Sequence, residues 1–123
     1  MFEVSVRMHF SAAHHLRGYR GKCEAAHGHN WEVEAFVRGK KPDGVGMLLD
    51  FGVLKQALKE AMAAVDHTDL NTLKPFRKIN PSSENIARFL YGELAARINC
   101  RQYKLHRICV HETPETGSSY WAG

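Results

Sequence analysis

Alternation of apolar and polar residues at the start of the sequence constrains the fold more than any other feature. In residues 2–10 the apolar set is Phe2, Val4, Val6, Met8 and Phe10, and the residues between them are polar or charged. Side chains of an extended chain point to opposite faces in turn, so this pattern predicts a strand with one face against a core. Residues 31–38 alternate in the same way and predict a second strand.

Two amphipathic helices are expected in the middle of the chain. After Asp50, apolar residues recur at helical spacing as Leu54, Leu58, Ala61 and Val65. The second helix follows Pro81, and its apolar stripe is Ile86, Phe89, Leu90, Leu94 and Ile98. Because carboxylates and hydroxyls at helix starts accept backbone N–H groups, Asp50, Ser82 and Ser83 are most simply helix N-caps.

Alternation returns near the end of the chain, where His106, Ile108, Val110 and Glu112 share the parity that we expect to face the core. A short strand over residues 119–121 follows Gly117. The order strand, strand, helix, helix, strand, strand predicts a single α+β domain over residues 1–123. We expect a four-stranded antiparallel sheet with both helices on one face.

The composition indicates a globular domain in a reducing compartment. Of the 123 residues, 44% are hydrophobic and 24% charged, as in an average soluble domain. No apolar run approaches the roughly 18 to 20 residues that span a bilayer, and the start of the sequence lacks the features of a secretion signal. Cys23, Cys100 and Cys109 have unrelated spacings, which disfavours a disulfide framework. We therefore expect a cytoplasmic protein with no membrane partner.

The formal net charge of +4 favours an anionic small molecule over a nucleic acid as the partner. The basic residues are scattered, and their two local groups contain no interleaved aromatic residues on which bases would stack. These groups are Arg17, Arg20 and Lys22, and Lys74, Arg77 and Lys78. They are either a solvated basic surface or contacts for phosphate groups.

A candidate metal site lies where the first two predicted strands meet. His27 and His29 flank Gly28, and they share the parity of Trp31 if the second strand extends back to them. His14, at the end of the first strand, brings a third imidazole within reach of the same ion. Three neutral imidazoles leave one tetrahedral position of Zn²⁺ open for water or substrate, as in catalytic zinc sites.

Three further features have both a chemical and a structural interpretation. Cys23 could complete a closed Cys-His₃ zinc site, act as a base beside it, or be a buried small apolar residue. Asp66 and His67 could form an acid–base pair, although a helix terminus explains them as simply. Glu112 is expected to face the core, so its carboxylate needs either an Arg partner or a planar ligand with two parallel N–H donors.

Six motifs in order along the chain resemble the 6-pyruvoyltetrahydropterin synthase and 6-carboxytetrahydropterin synthase family. They are residues 10–14, residue 23 with 27–29, residues 49–51, residues 66–67 with 70–71, residues 81–85 and residues 112–113. The resemblance implies the tunnelling fold, in which copies of a ββααββ unit join their sheets into a barrel. It also implies a homo-oligomer, either a hexamer or a tetramer, with active sites between subunits.

The resemblance further implies roles for individual residues. The metal ligands for Zn²⁺ are His14, His27 and His29; the catalytic residues are Cys23, Asp66 and His67; and the substrate-binding residues are Glu112, Ser83, Glu84 and Asp50. In this scheme Cys23 is the general base, and Asp66 and His67 assist it. Glu112 anchors the pterin, because a carboxylate matches the 2-amino and N3–H donors of that ring.

One spacing within the family indicates the reaction. Three residues separate Cys23 from His27, as in the carboxy enzymes of queuosine biosynthesis, whereas the pyruvoyl enzymes typically have five. This spacing favours conversion of 7,8-dihydroneopterin triphosphate to 6-carboxy-5,6,7,8-tetrahydropterin, acetaldehyde and triphosphate. One alternative is synthesis of 6-pyruvoyltetrahydropterin by triphosphate elimination. Another is a non-catalytic zinc- or pterin-binding protein in which Cys23 closes the zinc site.

Overall fold

A long antiparallel hairpin forms the centre of the fold. The computed structural model describes residues 1–20 and 24–123, and its first two strands are β1 (Phe2–His14) and β2 (His27–Gly39). They pair along their whole length, with Phe2 opposite Gly39 and His14 opposite His27. Both strands are longer than the alternating segments from which they were predicted, and β2 extends back to His27 as the metal-site prediction requires.

The two predicted helices are present, and polar side chains cap both. Helix α1 (Phe51–Met62) begins after Asp50, whose carboxylate accepts the backbone N–H of Gly52 at 2.7 Å. Helix α2 (Ser83–Ile98) begins after Ser82, whose hydroxyl accepts the backbone N–H of Asn85 at 3.2 Å. The N-cap predictions for Asp50 and Ser82 are therefore confirmed. The one for Ser83 is wrong, because Ser83 is already the first helical residue.

The sheet has five strands rather than the four that were predicted. Its order is β3-β1-β2-β4-β5, where β3 is Thr68–Asp69, β4 is Lys104–Thr113 and β5 is Thr116–Tyr120. All neighbouring pairs are antiparallel except β1 and β3, which run parallel. The α+β class is confirmed, and the additional strand has only two residues, too few to produce a periodic sequence pattern. Two short 3₁₀ helices, Leu70–Thr72 and Lys74–Phe76, follow β3.

Both helices pack with the same face of the sheet. Their buried residues form one cluster with the inward side chains of the strands, and its members include Trp31, Val33, Leu54, Leu58, Ile86, Leu90 and Ile108. These seven side chains have no solvent exposure. The sheet therefore has one face in the core and one that the helices leave uncovered.

The predicted parity of β4 is wrong at its first residues. The register of β4 against β2 shifts between Phe36 and Val37, which pair with Arg107 and Leu105. The additional residue between these two pairs, His106, forms a β-bulge that reverses the alternation of the strand. As a result Leu105 is buried at 4% exposure, and His106 does not take the core position that simple alternation assigned to it.

In the described part of the chain, no helix combines the length and the apolar character needed to cross a membrane.

Candidate metal centre

Three histidines meet at one end of the central hairpin. His14 is the last residue of β1 and lies directly opposite His27, the first residue of β2. His29 lies two residues further along β2, opposite Ala12. Because residues two apart on a strand share a face, the pairing places all three imidazoles on the same side of the sheet, next to the buried Trp31. The prediction that these three histidines lie together is confirmed.

A carboxylate from a third strand completes the cluster. Glu112, near the end of β4, places Oε1 at 2.7 Å from His29 Nε2, 3.4 Å from His14 Nε2 and 3.6 Å from His27 Nε2. The four potential ligand atoms all lie within 4.8 Å of one another. Glu112 therefore lies among imidazoles with its side chain 32% exposed, rather than in the apolar surroundings expected from its parity or beside an arginine.

Backbone carbonyl groups orient two of the imidazoles. His14 Nδ1 lies 2.8 Å from the carbonyl oxygen of Pro81, and His27 Nδ1 lies 3.0 Å from that of Ala25. A carbonyl oxygen only accepts hydrogen bonds, so both Nδ1 atoms carry the proton, and each Nε2 lone pair is left free for a metal. The tautomer that metal binding requires is thus held by the fold.

Two nitrogen atoms in the cluster are buried without a hydrogen bond of suitable geometry. They are His14 Nε2 and His29 Nε2. The separation between His29 Nε2 and Glu112 Oε1 is 2.7 Å, so the imidazole and the carboxylate are in close contact. Buried polar atoms of this kind call for a further partner, and a cation between them satisfies all of them together.

The donor set fits a divalent metal ion. Three imidazoles and a carboxylate are common ligands of zinc, and ligands about 2.0 to 2.1 Å from a tetrahedral ion lie about 3.3 to 3.4 Å apart. The separations of 3.4 and 3.6 Å between Glu112 Oε1 and the Nε2 atoms of His14 and His27 are close to that value. The separation of 2.7 Å between Glu112 Oε1 and His29 Nε2 is shorter than that value, so the cluster can hold a metal ion once these two side chains move apart.

The environment of His29 favours the neutral imidazole that binds metals. Burial lowers the pKa of His29, and the positive charge of His27 and of His14, when they are protonated, lowers the pKa further. The nearby Glu112 carboxylate opposes this shift but does not reverse it. A neutral His29 has its Nε2 lone pair available near neutral pH, so a metal does not have to displace a proton from it.

The Asp66–His67 pair is attached to β1 close to the cluster. Asp66 Oδ1 accepts the backbone N–H of Ser11 at 3.0 Å, and the backbone N–H of His67 donates to the Ser11 carbonyl at 2.6 Å. His67 has a left-handed φ of 57°, an uncommon conformation for histidine, and its side chain is 81% exposed. Its Nε2 lies 3.6 Å from Asp66 Oδ1. This arrangement leaves the imidazole free to meet a substrate or a second subunit.

A surface depression beside His67 also includes His29 in its lining. Its volume is about 400 Å³, and it is lined by Ser11, His29, Asn30 and His67 among others. Ser11 Oγ donates to Asn30 Oδ1 at 2.7 Å and so ties the two central strands together at this point. Two of the residues predicted from the sequence, one as a metal ligand and one as a catalytic residue, therefore share one depression.

The other predicted residues have different surroundings. Cys23 lies outside the described residues. Asp50 lines a separate depression with α1 residues and Arg97. The Ser83 hydroxyl lies 2.6 Å from that of Ser118 and donates to the carboxylate of Glu84 at 3.0 Å. A backbone N–H bond, and secondarily the Ser83 hydroxyl, lower the pKa of Glu84. Substrate-binding roles for Asp50, Ser83 and Glu84 stay predictions.

Two features of the centre were not expected from the sequence. One is the position of Glu112 among the histidines, and the other is the support that Pro81 gives to His14. The position of Glu112 depends on the register of β4, which the sequence does not give. Glu32 pairs with His111, and this pairing brings Glu112 across from Trp31. The support of His14 by Pro81 could not have been predicted, because every residue has a backbone carbonyl and its bonds leave no signal in the sequence.

Comparisons with known proteins agree with these observations. Residues 3–123 match the family described as 6-pyruvoyl tetrahydropterin synthase. A 6-carboxy-5,6,7,8-tetrahydropterin synthase of Bacillus subtilis is 32% identical over 126 residues, covering 97% of this chain and 84% of the relative. A 6-pyruvoyl tetrahydrobiopterin synthase of Drosophila melanogaster is 30% identical, covering 90% and 74%. The structure of Caenorhabditis elegans 6-pyruvoyl tetrahydropterin synthase matches with a TM-score of 0.87 at 26% identity, over 99% of this chain and 96% of that one.

Proposed function

Because this chain belongs to the 6-pyruvoyl tetrahydropterin synthase family, we propose that it is a zinc-dependent carbon–carbon lyase of pterin metabolism. Its substrate in this proposal is 7,8-dihydroneopterin triphosphate. Its products are 6-carboxy-5,6,7,8-tetrahydropterin, acetaldehyde and triphosphate, as in queuosine biosynthesis. The observation that carries the proposal is the convergence of His14, His27 and His29 with Glu112 around one point.

The proposed division of labour follows from the chemistry of each side chain. Zn²⁺ held by the three histidines would acidify the side-chain hydroxyls of the substrate and the adjacent C–H bonds. Cys23, as a thiolate, removes the proton from that carbon. His67 can relay the proton, because its imidazole is exposed and its Nε2 lies 3.6 Å from the Asp66 carboxylate.

Glu112 is proposed as the anchor of the pterin ring. A carboxylate accepts two parallel N–H bonds, which matches the 2-amino and N3–H groups of a pterin. The Oε1 atom of Glu112 lies against the three imidazoles. Anchoring a pterin therefore requires the carboxylate to turn away from the imidazoles toward the ligand, and His14, His27 and His29 would then hold the metal ion without it.

The product decides between this proposal and the pyruvoyl alternative. Relatives with both names match the chain, and the Cys23–His27 spacing favours the carboxy product. Purified protein should be incubated with dihydroneopterin triphosphate, and the products identified by mass spectrometry. Acetaldehyde with the carboxypterin is the expected result, whereas a pyruvoyl product would refute the lyase assignment.

Two substitutions test the assignment of the base. Cys23→Ala should abolish turnover while leaving zinc content unchanged, because the thiol is proposed as a base and not as a ligand. Cys100→Ala is the matched control, since Cys100 is a free, half-buried cysteine outside the metal centre. Full activity in Cys23→Ala would eliminate the base assignment.

A non-catalytic zinc- or pterin-binding protein is the remaining alternative. In that case Cys23 would close the metal site, and a metal-bound thiolate reacts slowly with alkylating reagents. Iodoacetamide labelling of the zinc-loaded protein, followed by peptide mass mapping, separates the two cases. Rapid labelling of Cys23 with zinc retained supports the enzyme, and protection that disappears on chelation supports the closed site.

The proposal includes a homo-oligomer, a hexamer or a tetramer, with sites between subunits. Strand β3 pairs only with Ala12 and Ala13, so in the described part of the chain the outer edge of β1 before Ala12 has no partner strand. Several large apolar side chains are also exposed, including Phe2, Phe51 and Val53. Open sheet edges and exposed apolar groups are typical of surfaces that associate. Light scattering after size-exclusion chromatography should give six or four times 13.9 kDa.

A further inference from the structure

A basic cleft lies at the end of the sheet opposite the histidines. It has a volume of about 1020 Å³ and is formed by the turn after β2 and the loop before β4. Its lining contains five lysine and arginine side chains and one carboxylate. The basic residues are Arg38, Lys40, Lys41, Arg101 and Lys104, and the carboxylate belongs to Asp43. The resulting excess of positive charge equals the net charge of the whole chain, +4. Much of the basic character of the protein is therefore concentrated in one place.

Within residues 1–20 and 24–123, most of these cations have no counter-ion. Arg38 pairs with Glu3 at 2.7 Å. In the described residues, Lys40, Lys41, Arg101 and Lys104 form no ion pair within 4.0 Å. The remaining local carboxylate, Asp43, accepts the backbone N–H groups of residues 45 and 47 at 2.9 and 3.0 Å, so it is committed to its own turn. An anionic ligand would supply the missing charge.

The pairing of β2 with β4 brings like charges together. Arg38 lies directly opposite Lys104, and like charges at facing positions destabilise a sheet. The two segments are nevertheless held close: a Cβ on Gly39 would lie 2.5 Å from the Gln102 carbonyl oxygen. The fold therefore holds Arg38 and Lys104 side by side, and Glu3 compensates the charge of Arg38 alone.

The cleft is separate from the metal centre within one chain. His27 and Gly39 are the two ends of the 13-residue strand β2, and at about 3.3 Å per residue they lie roughly 40 Å apart along it. One small substrate cannot reach both places in the same subunit. The metal centre of the same subunit therefore does not account for the charge of the cleft.

We propose that this cleft is a second binding site, and that its ligand is a small anion carrying two or more linked phosphate groups. Four unpaired cations match the charge of an oligophosphate, and a volume of this size suits a small molecule. A nucleic-acid strand would require an extended basic groove with exposed stacking residues. Among Phe, Tyr and Trp, the lining contains only Tyr103, which is half-buried. The inference does not depend on the proposed lyase activity.

Calorimetric titration with inorganic triphosphate tests the site in the purified protein. Lys40→Gln with Lys41→Gln should weaken the binding constant at least about tenfold, because two charge-assisted contacts are removed. Lys55→Gln with Lys59→Gln, on the exposed side of α1, is the matched control and should leave the affinity unchanged. If both double variants weaken triphosphate binding equally, the effect comes from the overall charge of the protein, and the proposal of a site in the cleft is wrong.

Three further measurements test the proposal. The first separates the cleft from the metal centre, and the other two compare triphosphate with single phosphate and with RNA. Replacing His27 and His29 by Ala should leave triphosphate binding at the cleft intact, and loss of all binding in that variant would assign the ligand to the metal centre instead. Inorganic phosphate should bind at least about tenfold more weakly than triphosphate, since it has fewer contacts. Equal affinity for phosphate would contradict an oligophosphate site. The third measurement is binding of a 12-nucleotide single-stranded RNA. If the RNA binds and triphosphate cannot displace it, the ligand is a nucleic acid and the proposal of a small anion is wrong.

Discussion

Arg17 holds the segment that leads into α2, and its replacement tests how the fold supports the metal centre. The guanidinium donates to the carbonyl oxygens of Phe76, Arg77 and Ile79, the last two at 3.1 and 2.7 Å. The backbone N–H of Arg17 donates to Asn80 Oδ1 at 2.8 Å, and Asn80 Nδ2 donates to the Arg17 carbonyl at 2.9 Å. Arg17 is thus engaged in structural bonds, which argues against the phosphate contact considered from the sequence.

This segment ends at Pro81, whose carbonyl oxygen accepts from His14 Nδ1 at 2.8 Å. A displacement of the segment would therefore release the imidazole of His14 from the orientation that metal binding requires. Loss of such a supporting bond typically lowers metal affinity by about 10- to 100-fold. Arg17→Met retains most of the aliphatic volume of the side chain and removes only the guanidinium donors.

The stability effect can be worked out from the three carbonyl contacts. A hydrogen bond contributes about 1 kcal/mol net to stability. Loss of these three bonds and of the bond from Arg17 Nε to Asn80 Oδ1 at 3.3 Å should therefore lower the free energy of unfolding by about 3 to 4 kcal/mol. For a domain of this size that corresponds to a decrease in Tm of roughly 10 °C. Since an oligomer unfolds with dissociation, variants must be compared at equal protein concentration.

The assay combines thermal unfolding of the metal-free protein with competitive zinc titration. The matched control is Arg88→Met, because Arg88 is an exposed arginine on α2 with one bond, to Asn85 Oδ1 at 3.0 Å. We expect the control to change stability by less than about 0.5 kcal/mol and to leave zinc affinity unchanged. If Arg17→Met behaves like Arg88→Met in both measurements, the proposed support of His14 by this segment is wrong.

Three other predictions concern the metal centre and its scaffold. The pKa of His29 is lowered in the folded chain, so unfolding takes up protons below about pH 6.5. The stability of the metal-free protein, measured by urea denaturation, should therefore fall as the pH decreases through that range. His29→Gln should make stability less dependent on pH. Gly39→Ala should destabilise by about 1 to 3 kcal/mol, because the new Cβ would lie 2.5 Å from the Gln102 carbonyl oxygen; an unchanged Tm would contradict this packing. Trp31→Phe removes the buried bond from Nε1 to the Ala12 carbonyl at 3.2 Å, so a loss of at least about 1 kcal/mol is expected by chemical denaturation.

Local sequence patterns were sufficient for most of the fold. Strand β1 and helix α1 were predicted because their apolar residues recur with the period of the element they form. Strand β3 was not predicted, since two residues have no period. Helix α2 was predicted, but its cap was assigned to two serines, and only the backbone geometry distinguishes Ser82 as the cap from Ser83 as the first helical residue.

The metal centre shows the same division. His14, His27 and His29 could be placed on one face from their parity, because the strand itself determines that relation. Glu112 could be placed inward but not among the histidines, because its neighbours depend on the register between β4 and β2. A register shift is produced by packing over the whole sheet, so no local pattern reveals it.

By itself, the sequence determined which residues alternate, which face of each strand is apolar, and which three histidines lie on one side of a hairpin. Only the tertiary structure decided that Glu112 lies beside them and that the bulge at His106 reverses the alternation at the start of β4. It also brought Lys40 and Lys41 to the same cleft as Lys104, more than 60 residues away in the sequence. The physical reason is that alternation depends on neighbours along the chain, whereas sites built from several strands depend on how those strands pair.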